Sequence, residues 1–337
     1  VFAALPVWSL LLALGLDAWT RRRFDRGPQV SVSPMMMVLA TFLLGLSVAA
    51  PFVWIRPAYA LPDQLSDAEI QDIPRRTSVE FDDVMHLLGY RLGTQTTRPG
   101  GHVTVTLYWE AIAPTEQDHT VFVHLLDRHE LVIAQRDTLP GLGLLSTTWL
   151  DSNQRWADRY VIPVPSTVYS PNEAEIEIGL FNTKTGERLT VVDTSEEPIG
   201  DREGQQADHL RFGQVSIQAQ SGSPQSPGYV PNPVAINFGG RMFLTGYDVT
   251  RRTVQPGETV TLTLHWEAIQ AMEQNYTVSA QLIDVAQRKA AQHDGWPLDG
   301  AAPTATWHPG DAVTDVIPLT IFSDAPPGPY SVRIAVY

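Results

Sequence analysis

The sequence predicts a mainly β chain: two tandem antiparallel β-sandwiches behind an N-terminal two-helix transmembrane segment. Three observations predict it. Two long apolar runs lie before Arg56, and a stretch reading "VTVTLYWEAI" (Val103 to Ile112) returns as "VTLTLHWEAI" (Val260 to Ile269). Both copies alternate apolar and polar residues with the period of a half-buried strand.

Val1 to Trp19 and Met35 to Ile55 each approach the roughly 20 apolar residues that cross a bilayer. The second carries no charge, and Trp54 sits at its edge, where an interfacial aromatic belongs. Between the two runs, Arg21, Arg22, Arg23 and Arg26 stand against the single Asp25. The positive-inside rule makes that loop cytoplasmic and places everything after Arg56 outside. Ala58-Tyr59-Ala60 imitates a signal-peptide cleavage site. The apolar run is longer than a signal core of about 7–15 residues, however, and another span precedes it. Pro57 to Arg76 forms a polar lead-in whose "LSDAEIQDI" predicts a short helix capped by Ser66.

From Leu87 to Asp137 the chain matches Leu244 to Asp294 at a constant offset. Gly89-Tyr90 recurs as Gly246-Tyr247, Pro99-Gly100 as Pro256-Gly257, and Asp127 as Asp284. Further on, Thr148-Trp149 is set against Thr306-Trp307, Val161 to Pro163 against Val316 to Pro318, and Glu175 to Phe181 against Ser331 to Tyr337. Val103, Val105, Leu107 and Trp109 share one face of their strand, with Thr104, Thr106, Tyr108 and Glu110 on the other. Each Pro-Gly supplies a tight turn before its strand. Further strands are predicted at His119–Asp127, Leu131–Arg136, Asp158–Pro163, Ala174–Phe181, Leu189–Asp193 and Leu210–Gln218. Short strands punctuated this regularly make a sandwich of the immunoglobulin or fibronectin kind. Sandwich one runs over 77–218. A Pro/Ser/Gly linker at 219–233 suggests independent motion of the modules. Sandwich two spans 234–337 and lacks its last strands, which leaves an uncovered edge in this piece, an aggregation liability rather than a native feature. Val1 lies inside an apolar run and Tyr337 inside a strand pattern, so the chain reads as a piece of a longer protein.

A formal net charge of −14 without a basic stripe argues against nucleic acid and against docking of the globular part on anionic lipid, so the bilayer is expected as a partner through the two apolar runs alone. Absence of cysteine excludes disulfides, thiolate zinc sites and thiol catalysis. Trp109 and Trp266, flanked by Val and Leu, are expected as structural core, plugs between sheets rather than ligand contacts. Glu110 and Glu267 point to solvent, one per copy, whereas glycoside hydrolysis needs a carboxyl pair about 5–10 Å apart. The histidines lack metal spacing, and His119 and His124 read as solvated strand positions. Asp127/Asp284 and Asp137/Asp294 recur as turn formers. Tyr108, Trp156 and Tyr160, with Tyr169 and Trp296, are the candidates for a sugar-contacting face. No catalytic, cofactor-binding or metal residue is predicted.

"WIRPAYALP" closing a span, followed by "LLGYRL" and "RPGGHVTVTLYWEAIAPTEQDHTVFVHLLD" with a second copy behind, resembles a known family end. It is similar to the C-terminal region of bacterial multi-spanning, polyprenol-phosphate-sugar-dependent glycosyltransferases of the protein mannosyltransferase-like class. The resemblance covers the whole chain. It implies a parent enzyme of the plasma membrane whose catalytic acids lie in an early external loop that no position here matches. The chain would then be a non-catalytic tail with extracytoplasmic β-sandwiches, meeting carbohydrate or lipid-linked sugar through the parent. The competing expectation is a membrane-anchored binding or adhesion module with no chemistry of its own.

Overall fold

A computed structural model describes residues 34–193, 207–219 and 229–337. The first expected span, the basic loop and most of the linker lie outside the described residues. The chain divides into two compact units, Val1–Leu61 and Pro62–Tyr337.

In the first unit, helix α1 (Pro34–Ala50) continues through a π-helical turn at Pro51–Ile55 and a last turn at Arg56–Ala58. Pro51 has no N–H to give to the preceding turn, and the chain widens there until Arg56 N–H reaches Pro51 C=O. Met37–Ile55 is long and apolar enough to cross a membrane. Its Val38, Phe42, Leu44 and Phe52 are exposed.

The second unit is mainly β. Helix α2 (Asp67–Gln71) comes first, with Ser66 and Glu69 exchanging hydrogen bonds in a capping box. Seventeen strands follow among the described residues. The first module holds β1 (Arg75–Phe81), β2 (Met85–Leu92), β3 (Thr96–Thr97), β4 (His102–Ala111), β5 (His119–Asp127), β6 (Val132–Thr138), β7 (Arg155–Pro163), β8 (Asn172–Asn182), β9 (Val191–Asp193) and β10 (Leu210–Ile217). They form two five-stranded sheets, ordered β7-β4-β2-β1-β9 and β3-β10-β8-β5-β6. Every pairing is antiparallel except the short β3–β10 contact. The second module holds β11 (Pro233–Phe238), β12 (Met242–Val249), β13 (Thr259–Ala268), β14 (Val278–Ile283), β15 (Lys289–Gly295), β16 (Ala312–Thr320) and β17 (Ser331–Val336). Its sheets, β11-β12-β13-β16 and β15-β14-β17, have no counterparts of β3, β9 and β10 among the described residues.

Both modules repeat the same internal contacts. Trp109 is wholly buried and meets the edge of Phe81 at 5.6 Å; Trp266 is 1% exposed and meets Phe238 the same way at 5.3 Å. The recurring Gly-Tyr marks a bulge. Register slips between Leu87 and Gly89 against β4, and between Leu244 and Gly246 against β13. A Cβ at Gly89 would stand 2.3 Å from Arg75 C=O, and one at Gly246 2.6 Å from Pro231 C=O, so only glycine fits either strand crossing. Thr147 and Thr304, both fully buried, also match. Each hydroxyl accepts from the N–H of His119 or Tyr276 and donates to the C=O of Gln117 or Gln274.

These contacts correct two details of the repeat. Thr304 matches Thr147, so Thr148 falls at Ala305 rather than Thr306, Leu150 rather than Trp149 takes the place of buried Trp307, and Trp149 is 79% exposed. Against the central strand, Thr104 faces Val161 while Thr261 faces Pro318. Val316 to Pro318 therefore matches Arg159 to Val161. The repeated "VIP" slides by two residues, a slip that keeps each side chain on the same face and leaves the alternation unchanged.

Polar contacts join the two modules directly. Arg252 donates to Asp127, whose carboxylate is fully buried, and lies over the Tyr169 ring at 5.2 Å. Asp127 also accepts from His129 N–H (2.8 Å), Leu131 N–H (3.1 Å) and Asn172 Nδ2 (3.3 Å). Tyr247 Oη donates to Thr167 C=O, Tyr169 Oη to Asp248, and Ser170 N–H to Asn232 Oδ1. Burial pushes the Asp127 carboxyl upward, but its N–H donors and the guanidinium outweigh that and leave it below the usual carboxylate range. Asp284 holds the matching turn in the second module through Arg288 of its own hairpin.

Candidate functional site

Most of the aromatics expected on a sugar-contacting face are covered. Trp156 and Tyr160 are wholly buried in the first core and Tyr108 is 8% exposed. In β7, Trp156, Asp158, Tyr160 and Ile162 share the inner face, so Trp156 and Tyr160 belong to the core. Tyr108 does lie opposite the Trp109 face, and it is covered there as well. Tyr169 is half-buried against the second module. Trp296, 46% exposed, remains open, and so does Trp149. Glu110 is held by Arg155 Nε at 2.9 Å, and the same guanidinium reaches Asp67 of α2 at 3.0 Å. A shallow cleft of about 440 Å³ lies beside that bridge, lined by Asp67, Ile70, Gln71, Arg76, Leu88 and Arg155.

His119 and His124 are also buried, not solvated. His124 belongs to a row of charges across the outer face of the second sheet. The register aligns Gln135 on β6, His124 on β5, Glu177 on β8 and Arg211 on β10 side by side. Arg211 Nε donates to Glu177 Oε2 at 2.9 Å. His124 Nε2 lies 3.2 Å from Asp137, and its Nδ1 3.7 Å from Glu177. Arg188 and His209 close over the row at 3.9 and 3.7 Å from the same carboxylate, and Arg188 also covers the Phe122 ring at 4.4 Å. Burial opposes the charge on Glu177, yet His124, Arg211 and His209 overcome it and hold the carboxyl down at about 2. Burial likewise pushes His124 down, and Asp137 with Glu177 more than reverses it. Both carboxylate oxygens are occupied by cations of the same module. Asp137, expected as a turn former, sits instead inside β6, where it serves this network. Such a charge-compensated network fixes the sheet face.

A second feature, missed in the sequence, is present in both modules. Asp158 and Asp315 occupy the same register, opposite Leu107 and Leu264. Each is buried and accepts from the first left-handed residue of a turn, Gly141 N–H (3.0 Å) or Leu298 N–H (2.8 Å). Asp158 accepts from Trp156 Nε1 as well. The turns hold three successive positive φ angles, 63°, 54° and 99° at Gly141 to Gly143, and 55°, 50° and 89° at Leu298 to Gly300. A lone aspartate between apolar residues gave no alternation signal, and the repeated offset through Asp158 and Asp315 was the available clue. Burial lifts the Asp158 carboxyl to about 6, with the Trp156 and Gly141 donors opposing the rise. The folded chain therefore binds this proton more tightly than the unfolded chain. Stability from this group is complete below pH 4 or so and falls as pH rises toward about 6. Asp158→Asn is expected to remove that fall, so that the wild-type minus variant difference in urea midpoint changes by the equivalent of about 2 kcal/mol between pH 4 and 7. A pH-independent difference would refute it.

Among the described residues, no group of three or more His, Asp or Glu side chains is placed to hold a metal ion. No protein-family model matches the chain, and no curated protein matches it.

Proposed function

We propose that the chain is the membrane-tethered, non-catalytic part of a bacterial lipid-phosphate-sugar-dependent glycosyltransferase. Its β modules lie outside the cytoplasm and act as one rigid body that holds an acceptor or scaffolds the enzyme. The observation that carries this reading is the polar lock between the modules, centred on Arg252 and Asp127. Two modules linked by a buried ion pair keep a fixed geometry, which a scaffold needs and a flexible tether lacks. The apolar helix Met37–Ile55 supports the membrane tether. The basic stretch before it and the resemblance to the transferase class support the multi-pass, extracytoplasmic arrangement.

The absence of cysteine makes the orientation testable. With Thr185→Cys, a membrane-impermeant maleimide added to intact cells is expected to label the protein; with Arg23→Cys it is not. The reverse pattern ends the extracytoplasmic reading. Membranes bearing the full-length protein should also move sugar from a polyprenol-phosphate donor, and no transfer from correctly oriented protein would remove the enzyme assignment.

The exposed rings of Trp149 and Trp296 favour a second reading, a surface module that binds polysaccharide without chemistry. Retention on polysaccharide gels that Trp149→Ala and Trp296→Ala abolish would support it; unchanged retention would not.

A further inference from the structure

Ser78, His86 and Glu110 stand in line on the outer face of the first sheet, each half-buried. Ser78 Oγ lies 3.1 Å from His86 Nε2, and His86 Nδ1 lies 3.7 Å from Glu110 Oε2. The other carboxylate oxygen of Glu110 accepts from Arg155 Nε at 2.9 Å, which fixes the acid behind the imidazole. Strand register makes the arrangement. His86 of β2 is opposite Glu110 of β4. In β1, Thr77 and Ser78 together oppose Leu88 alone, a bulge of the kind that re-aims side chains.

The second module shows that the fold does not require this set. Val79 opposite Leu87 corresponds to Ile236 opposite Leu244, so Ala235 takes the place of Ser78 and Phe243 that of His86. Ala312, opposite Glu267, takes the place of Arg155, opposite Glu110. The bulge itself is kept, between Pro233 and Ile236. Alanine and phenylalanine thus build the same strands and the same bulge, and packing alone does not call for the serine and the histidine.

We propose that Ser78, His86 and Glu110 form a hydrolytic site for a small carboxylic ester. Ser78 is the nucleophile, His86 the general base and then acid, and Glu110 a positioning residue that keeps the imidazole proton on Nδ1 and the lone pair on Nε2. The cleft of about 440 Å³ flanks the set: Arg76 stands two residues before Ser78, Leu88 two after His86, and Arg155 is bonded to Glu110. Ile70 and Leu88 give the acyl group an apolar wall, and Arg76 supplies positive charge toward the developing oxyanion. Ser78 Oγ bonds to the ester carbonyl carbon while its proton passes to His86 Nε2. The carbon–oxygen bond to the alcohol then breaks, and the alcohol leaves with that proton. A water molecule gives a proton to His86 and attacks the acyl-serine; the acid departs, and the proton returns to Ser78. The net reaction is ester plus water to acid plus alcohol. It breaks a different bond from sugar transfer, in which this chain has no proposed step, and gives the first module a chemistry of its own.

A fluorophosphonate probe tests the site on the full chain in lipid nanodiscs, since it forms a phosphonyl ester on an activated serine with loss of fluoride. Digestion and mass spectrometry are expected to place the adduct on Ser78. Ser78→Ala and His86→Phe carry the residues of the second module, and both are expected to keep the wild-type circular dichroism. Ser78→Ala should remove the adduct, and His86→Phe should slow its formation about a hundred-fold or more. With p-nitrophenyl acetate as substrate, Glu110→Gln should lower kcat and leave KM unchanged, a split that a merely structural role would not produce. No adduct on the folded wild-type chain, an adduct on other residues alone, or labelling that His86→Phe leaves unchanged would each overturn the site. A wild-type kcat in Glu110→Gln would overturn the part given to the acid.

Discussion

Trp109→Ala is expected to cost about 3–5 kcal/mol, enough on the usual scale of about 5–15 kcal/mol to leave the first module barely folded. The indole has no exposed surface and closes the space between the sheets against Phe81, so its removal leaves a cavity that a β-sandwich cannot collapse to fill. Trp266→Ala should do the same to the second module, whose core is smaller. Both indole N–H groups are buried without an acceptor. Trp109→Phe therefore removes an unsatisfied donor together with ring volume, and its cost should be well below that of alanine. Urea unfolding followed by far-ultraviolet circular dichroism gives the comparison. A loss under about 1 kcal/mol for Trp109→Ala would show that the ring is not the keystone of the core.

Arg252→Ala is expected to cost about 3 kcal/mol and to separate two unfolding transitions that otherwise coincide. The variant leaves the Asp127 carboxylate in its buried site with the His129, Leu131 and Asn172 donors but without a cation. Arg252→Lys keeps the charge and loses the flat contact with Tyr169, so partial rescue is expected. Arg251→Ala is the control. Its partner Glu258 and Arg251 itself are both largely exposed, and such pairs contribute about 0.5 kcal/mol or less. The effect carries a pH signature. The Asp127 carboxyl lies below its ordinary value in the folded chain, so the coupling is full above about pH 4 and fades as acid protonates the group. Scanning calorimetry of the variant at pH 7 decides the matter; a single unshifted transition would show that the lock does not couple the modules.

Much of the fold was legible because the central strands place a large apolar residue at every second position. Val103 to Trp109 and Val260 to Trp266 turn their apolar residues inward, and β5 has the limits His119–Asp127 that its pattern marks. The short helix and its Ser66 cap were written in the order Ser, two residues, Glu. β7 was harder to read. Asp158 interrupts an otherwise apolar inner face, and its hydrogen-bond partners come from a turn seventeen residues earlier and from Trp156. Trp156 and Tyr160 therefore looked like outer-face aromatics. The charged row was illegible for a related reason. His124, Glu177 and Arg211 lie far apart in the chain, and only the strand register brings them together. The lock between modules was not legible, since Asp127 read as a turn former and nothing in the pattern set Arg252 against it. Composition near 219–233 said nothing about the surfaces on either side of it.

The left-handed turn at Leu298 to Gly300 bears on recognition at its doorstep. Trp296 immediately precedes it, and the turn is pinned from beneath by the buried Asp315. Whatever flat, apolar face meets that indole finds its platform already set, with little freedom left to surrender on contact. Recognition there would draw on a shape made during folding rather than one made at the encounter.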